Sequence, residues 1–334
     1  MKRAPLLVVL TLVTALAATG CSGDNGPSIV VYNAQHQQLL EEIAPAFTKK
    51  TGIDVELRNG DDAELSAQLV QEGDASPADV FLTENSPAMT AVEKAGLLAP
   101  LNTAATEPIP QQFRPESGLW TGFVARSTVL VYNTSMVTEA DLPTSIMDLA
   151  DTKYAGMISF SPTGADFQAI VAAVLDIEGE TKTKAWLAGL KANGTVYDGN
   201  NVVLESVNSG QSPIGIIYHY YWYRDQAESG ENSDNTQLYF FGDQDPGAFL
   251  SISGAGVLKS APHATDAQKF VEFLTSQEGQ QDLADSYALE YPLNPAVTLD
   301  ASVKPLAELQ PPTVAIGDLD GAKVVDLMTE AGFL

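Results

Sequence analysis

The chain is long, acidic and almost free of cysteine. It has 334 residues, a formal net charge of −26 and a single Cys. The length suggests two domains, and the charge argues against a basic surface for nucleic acid or anionic lipid. One cysteine excludes both an intramolecular disulfide and a cysteine-rich metal site.

The first 28 residues have the pattern of an export segment. Lys2 and Arg3 precede an uncharged apolar run over residues 6–18, and small residues then lead to Cys21. This layout resembles the signal of a bacterial lipoprotein, and the run is too short for a spanning helix. We therefore expect residues 1–20 to be a signal peptide, Cys21 to carry a lipid, and residues 21–28 to form a tether. The alternative is a secreted protein in which Cys21 has no role.

The remaining sequence alternates between strand and helix patterns. The predicted strands cover residues 29–33, 53–57, 79–83, 127–132 (within the segment 122–132), 157–160, 214–217 and 249–258. The predicted helices cover residues 37–50, 63–72 and 86–94, with others starting at Asp166 and at a capping box over residues 265–268. This pattern predicts an α/β fold with two lobes, each a sheet covered by helices, and a cleft between them.

Polar side chains follow four of the predicted strands. His36 follows the first strand, Glu84 follows the third, and residues 163–165 follow the strand at 157–160. The segment 218–223, which holds four of the 11 tyrosines, follows the strand at 214–217. Because ligands of open α/β sheets bind beyond the carboxyl ends of strands, these groups are expected to face the same cleft.

The tyrosine cluster leaves three interpretations open: an aromatic core, a platform for stacking sugars, or a metal site with phenolate ligands. Adding His36 and Glu84 to two phenolates makes a four-donor set with a formal charge of −3. Such a set suits Fe³⁺ better than a divalent ion or Cu⁺, and Zn²⁺ rarely takes two phenolates.

With these residues in place, the sequence resembles the bacterial ferric-ion-binding proteins, the substrate-binding components of iron ABC transporters. The matching stretches are residues 31–36 (VYNAQH), 76–84 (SPADVFLTE), 220–223 (YYWY), 243–248 and 290–293. The resemblance runs from Ile29 to Leu334 and implies a class II-like periplasmic-binding-protein fold. It places residues 29–126 plus 251–302 in lobe 1, and residues 127–250 plus 303–334 in lobe 2.

The resemblance also implies a ligand set. Fe³⁺ would be held by His36 and Glu84 from lobe 1 and by Tyr220 and Tyr221 from lobe 2. A synergistic anion, phosphate or carbonate, would be bound by Asn85, Thr163, Gly164, Ala165 and Asn200. Because adjacent helical residues point about 100° apart, both tyrosines can reach one metal only from the first turn of a helix.

The neighbours of this site receive supporting roles. We expect Trp222 and Tyr223 to pack behind the tyrosine pair, and His219 not to bind the metal. Arg126 lies near the predicted crossover and either assists the anion or forms a structural salt bridge. The implied partners are an ABC permease and its ATPase. The implied protein is a monomeric binding protein and not an enzyme, held by its lipid on the extracytoplasmic side of the cell membrane.

Two alternatives remain at this point. The same fold could bind a phosphorylated metabolite, thiamine or a polyamine, since fold alone does not determine the ligand. A secreted hydrolase is the alternative from another class, although the sequence has no GxSxG, HExxH or P-loop motif.

Overall fold

A computed structural model of the chain describes residues 26–334. The predicted signal peptide, Cys21 and the first part of the tether lie outside the described residues. Ser28, which the sequence assigns to the tether, is instead the first residue of a strand. Between residues 26 and 334, none of the helices is both long enough and apolar enough to cross a membrane.

Strands and helices alternate along the described chain. The strands are β1 Ser28–Asn33, β2 Asp54–Asn59, β3 Val80–Leu82, β4 Leu98–Ala99, β5 Trp120–Asn133, β6 Ile158–Phe160, β7 Gly194–Val196, β8 Ile214–Tyr218, β9 Thr236–Tyr239, β10 Leu250–Leu258 and β11 Tyr291–Pro292. The helices are α1 Gln37–Thr51, α2 Asp62–Glu72, α3 Ser86–Lys94, α4 Thr103–Thr106, α5 Ala165–Glu178, α6 Glu180–Asn193, α7 Asn200–Asn208, α8 His219–Glu228, α9 Ala264–Thr275, α10 Gln277–Ala284 and α11 Gly321–Glu330.

One long strand, β5, belongs to both halves of the molecule. The main strand order is β2-β1-β3-β10-β5-β8-β6-β7, and β4, β9 and β11 pair beside it. The first part of β5 pairs with β10 and β11, up to Ser127, and the part from Thr128 onward pairs with β8 and β9. Parallel and antiparallel pairs occur in both halves. The fold is therefore two mixed α/β halves joined through a shared strand.

Each half has its own apolar core. In lobe 1, α1 and α9 bring Phe47 and Phe270 together with ring centroids 5.1 Å apart. In lobe 2, Phe160 and Phe167 stack at 5.0 Å. The predicted boundary at residue 303 stays a prediction, and packing favours a later crossing, because Ile316 lies in a lobe 1 cluster.

The helix predicted at 37–50 shows why the local predictions succeeded. Leu39, Ile43 and Phe47 recur at helical spacing and are all buried on the same face. The helix ends at Gly52, whose φ of 73° is the left-handed conformation that glycine tolerates best.

The predicted capping box at residues 265–268 is wrong. Helix α9 begins at Ala264, with His263 at its N-cap position and no capping side chain of its own. The buried carboxylate of Asp79 accepts a hydrogen bond from the His263 N–H at 2.7 Å instead. The Gln268 side chain turns toward another segment, where it donates to the Pro100 carbonyl. Asp79, which is distant in the sequence, therefore bonds to the start of α9 in place of a capping side chain from the helix itself.

Candidate metal site

The tyrosine pair lies at the start of helix α8. Strand β8 ends at Tyr218 and the helix begins at His219, so Tyr220 and Tyr221 occupy its first turn. Their rings stack with centroids 4.1 Å apart. The Tyr220 hydroxyl donates to Nε2 of His36 at 3.2 Å, which joins lobe 2 to lobe 1. Burial raises the pKa of both phenols well above the usual value, so both are protonated without a metal.

His36 presents its Nε2 atom to the cleft. It follows β1 at the N-cap position of α1, and its Nδ1 atom faces Oε1 of Gln35. Gln35 donates from Nε2 to Ser253 and to Glu290, which leaves Oε1 as an acceptor. Nδ1 therefore carries the proton and Nε2 keeps a lone pair for a ligand. Burial lowers the pKa of His36, which favours this neutral form.

Glu84 is held by its backbone. Asp62 accepts hydrogen bonds from the N–H groups of Glu84 and Asn85, at 2.9 and 2.8 Å. The carboxylate itself keeps 22% of its side-chain surface exposed and lies 4.0 Å from Nε2 of His36. Burial raises the pKa of Glu84 to about 7, and the negative charges of Asp62 and Glu290 add to that effect.

The structure therefore brings together all four residues that the sequence proposed as metal ligands. His36 and Glu84 line one side of the cleft, and Tyr220 and Tyr221 line the other. Their metal-binding roles stay a prediction. Between residues 26 and 334, His, Cys, Asp and Glu side chains alone form no group of three or more able to hold a metal. A metal at this position would consequently need the phenols.

A fifth donor, Asp166, was missed by the sequence analysis. It is the second residue of α5, and its Oδ2 atom accepts hydrogen bonds from the Tyr221 hydroxyl at 3.1 Å and from Asn200 at 2.8 Å. Its Oδ1 atom is buried with no hydrogen-bond partner in the described part of the chain. Burial, aided by the nearby charge of Glu84, raises its pKa to about 8. The sequence did contain a signal, because Asp166 directly follows the predicted anion-binding residues 163–165. It was interpreted only as the start of a helix.

The residues proposed for an anion separate into two groups. On the lobe 1 side, Oδ1 of Asn85 accepts hydrogen bonds from Arg126 at 3.0 Å and from Ser251 at 2.6 Å. On the lobe 2 side lie Thr163, Gly164 and Ala165 at the start of α5, and Asn200 at the start of α7. Thr163 and Gly164 are exposed, whereas Asn200 is committed to Asp166.

Arg126 forms a buried ion pair behind the lobe 1 donors. Its Nη1 atom donates to Glu290 at 3.3 Å and to Ser253 at 2.7 Å, and both charged side chains are fully buried. Its Nη2 atom donates to the Glu84 carbonyl. Of its two proposed roles, the structure therefore shows the salt bridge. Losing one partner of such a pair would leave an uncompensated charge in the interior.

The aromatic residues around the pair hold α8 in place. His219 stacks on Tyr291 with centroids 4.3 Å apart, and its Nδ1 atom accepts a hydrogen bond from the Ser127 N–H at 3.1 Å. Trp222 donates to the Thr236 hydroxyl at 2.9 Å. The Tyr223 hydroxyl accepts a hydrogen bond from the backbone N–H of Lys304 at 3.2 Å.

Two α/β halves that share a strand and place donor side chains opposite one another define the class of two-lobed solute-binding proteins. The profile of the bacterial extracellular solute-binding protein family matches residues 75–314. Within that class, the chain belongs to the bacterial ferric-ion-binding proteins, as its relatives show.

A Serratia marcescens protein named as an Fe(3+)-binding periplasmic protein is 50% identical over 328 residues, which cover 98% of this chain and 96% of that protein. A Neisseria meningitidis protein named as a major ferric iron-binding protein is 38% identical over 292 residues, covering 86% of this chain and 87% of that protein. The crystal structure of iron-bound HitA from Pseudomonas aeruginosa has a TM-score of 0.87 and 40% identity, and covers 92% of this chain and 100% of that one.

The comparisons confirm the predicted family and the two-lobed fold. They also confirm a binding protein in place of an enzyme, because the relatives are named for what they bind.

Proposed function

We propose that this protein binds Fe³⁺ between its two lobes, outside the cytoplasm, as the substrate-binding component of an iron-uptake system. The observation that carries the proposal is that the two phenols contact groups from both walls: the Tyr220 hydroxyl bonds to His36, which lies 4.0 Å from Glu84, and the Tyr221 hydroxyl bonds to Asp166. Relatives at 50% and 38% identity are named for ferric iron, which favours Fe³⁺ over a phosphorylated metabolite, thiamine or a polyamine.

The proposed ligands are His36, Glu84, Asp166, Tyr220 and Tyr221. With both phenols and both carboxyls ionised, the set carries four negative charges against the three positive charges of the metal. Hard oxygen donors of this kind match Fe³⁺. Asp166 joins the set because its second oxygen is buried and has no other partner among residues 26–334.

Asp166 is also proposed to supply, from within the chain, the negative charge that an added anion would bring. It lies at the N-terminus of α5, the position at which the sequence predicted phosphate or carbonate. The competing proposal keeps the anion on Asn85, residues 163–165 and Asn200. One observation favours it, because Nδ2 of Asn85 is buried with no partner among residues 26–334.

We further propose that closure depends on the metal. An open protein would offer two half-sites, and only the closed arrangement would bring donors from both lobes to one ion. The proposed lobes are residues 29–126 plus 251–302 and residues 127–250 plus 303–334, with β5 as one of the connections between them.

Delivery and location complete the proposal. The protein would pass iron to an ABC permease driven by its ATPase, as a monomer attached to the cell membrane through a lipid on Cys21. Replacing Cys21 with Ser should move the protein from the membrane fraction to the soluble extracytoplasmic fraction. Equal distribution of both variants would contradict the anchor without affecting the iron site.

An Fe³⁺ titration followed by visible absorbance tests the central proposal. Binding should produce the charge-transfer colour of phenolate bound to ferric iron. Run with and without phosphate or carbonate, the titration should give the same affinity if Asp166 supplies the charge. A strong requirement for either anion would favour the separate anion site, and a colourless protein would contradict iron binding by the tyrosine pair.

A further inference from the structure

An arginine lies between aromatic rings of the two lobes, beside the tyrosine pair. The guanidinium carbon of Arg224, on α8, is 5.8 Å from the centroid of the Tyr220 ring and 4.4 Å from the centroid of the Tyr287 ring. Tyr287 packs against the lobe 1 core, and its N–H donates to Glu42 on α1 at 3.4 Å. The guanidinium of a lobe 2 residue therefore covers a ring that belongs to lobe 1.

This arginine is unusual in so acidic a protein. The chain has 17 basic residues against 43 acidic ones, and lysines such as Lys184 and Lys269 form ion pairs with neighbouring carboxylates. Arg224 is half-buried, and its guanidinium makes no ion pair and no hydrogen bond with any residue from 26 to 334. Its nearest described partner is the face of the Tyr287 ring, a contact that is attractive for a planar cation.

The surfaces next to this contact do not pack tightly. A cavity lies beside it, lined by Ala227 from α8 and by Asp285, Ser286 and Leu289 from the facing lobe. Tyr287 lies in the loop between α10 and β11. Any opening of the cleft that moves α8 away from this loop must separate Arg224 from Tyr287.

We infer that Arg224 is a positioning residue that holds the closed protein shut and slows iron release by stacking on Tyr287. The inference rests on the proposed iron function. Arg224 is not itself a proposed ligand, although its guanidinium carbon lies 5.8 Å from the centroid of the Tyr220 ring. Because the contact exists only when the lobes are together, losing it should raise the dissociation rate and leave the association rate nearly unchanged.

The test measures iron release into an excess of chelator by loss of the visible band. Arg224→Ala and Tyr287→Leu should each speed release by roughly 2- to 30-fold, the range expected for breaking a cation–π contact. The double variant should release iron no faster than the faster single variant, since both changes remove the same contact. Tyr287→Phe keeps the ring and should release iron at close to the wild-type rate.

Lys153→Ala is the matched control. Its ammonium lies 4.7 Å from the Tyr154 ring centroid, a contact of the same type made within lobe 2, so its loss should not change release. In all variants the absorbance maximum and the melting temperature of the metal-free protein should stay unchanged, which separates positioning from a ligand or folding role.

Three outcomes would overturn the inference: unchanged release in Arg224→Ala, additive effects in the double variant, or equal acceleration in Lys153→Ala. Failure of the proposed iron function would look different, because the wild-type protein would then develop no colour with Fe³⁺.

Discussion

The two walls of the cleft are built in different ways. On the lobe 1 wall, His36 and Glu84 are tied to buried partners, including the Arg126–Glu290 ion pair and the Asp62 carboxylate. The lobe 2 wall places three acidic groups, Tyr220, Tyr221 and Asp166, at the starts of two helices. Lobe 1 offers one imidazole nitrogen in a fixed position and one carboxyl group. Lobe 2 offers two phenols and one carboxyl group, which would carry most of the negative charge once a bound cation had displaced their protons.

The difference matters because the lobe 2 groups hold protons when no metal is bound. The pKa of Asp166 is raised to about 8 and those of the two phenols are raised well above their usual value, each chiefly by burial. The lobe 1 imidazole is already neutral. We expect lobe 2 to supply most of the proton cost of binding, with Glu84 of lobe 1 contributing below about pH 7, and lobe 1 to determine where the ion binds.

The largest effect should come from the phenols. Tyr220→Phe or Tyr221→Phe should remove most of the visible colour and lower Fe³⁺ affinity by at least roughly 100-fold, because a proposed ligand is lost. Titration by absorbance measures both. Tyr223→Phe is the control: its hydroxyl bonds to a backbone N–H, so its colour should be retained. Full colour in both single variants would contradict the predicted ligand pair.

A smaller effect is expected at Asp166. Asp166→Asn keeps the shape of the side chain but removes its charge, and should lower affinity by roughly 10- to 100-fold. Added phosphate or carbonate should then restore part of the loss. Asp176→Asn, on the exposed face of the same helix, controls for the loss of one acidic group. Wild-type affinity in Asp166→Asn would exclude it from the ligand set.

The pH dependence should show the same asymmetry. Below pH 7 the metal-free site holds protons on both phenols, on Asp166 and on Glu84. The pKa of the Asp166 carboxyl is about 8, and that of the Glu84 carboxyl is about 7. Fe³⁺ bound by the proposed ligands would displace these protons, so affinity should rise with pH, by roughly two to four powers of ten per pH unit. Competition with a chelator of known proton stoichiometry measures the slope. Asp166→Asn should reduce it by about one, and a flat profile from pH 5 to 8 would contradict phenolate binding.

The sequence alone predicted most of what local pattern controls. The face of α1 was readable because Leu39, Ile43 and Phe47 recur at helical spacing, and the tyrosine pair was readable because its composition is unusual. Asp166 was not readable, because an acidic residue in a first helical turn is commonplace and only burial beside Tyr221 distinguishes it. Contacts between distant segments, such as Arg224 with Tyr287, leave no local signal.

The shared sheet also governs how the protein can form. Strand β10, residues Leu250–Leu258, lies between β3 and β5 in the strand order. A chain that emerges N-terminus first therefore lacks the centre of the lobe 1 sheet until more than three quarters of it is available. The lobe 1 wall that carries His36 and Glu84 therefore cannot form until β10, far downstream in the chain, is available. A fragment that ends before β10 would contain Tyr220, Tyr221 and Asp166 but would lack the central strand of the lobe 1 sheet, so the lobe 1 wall is the part of the site that depends on the downstream segment.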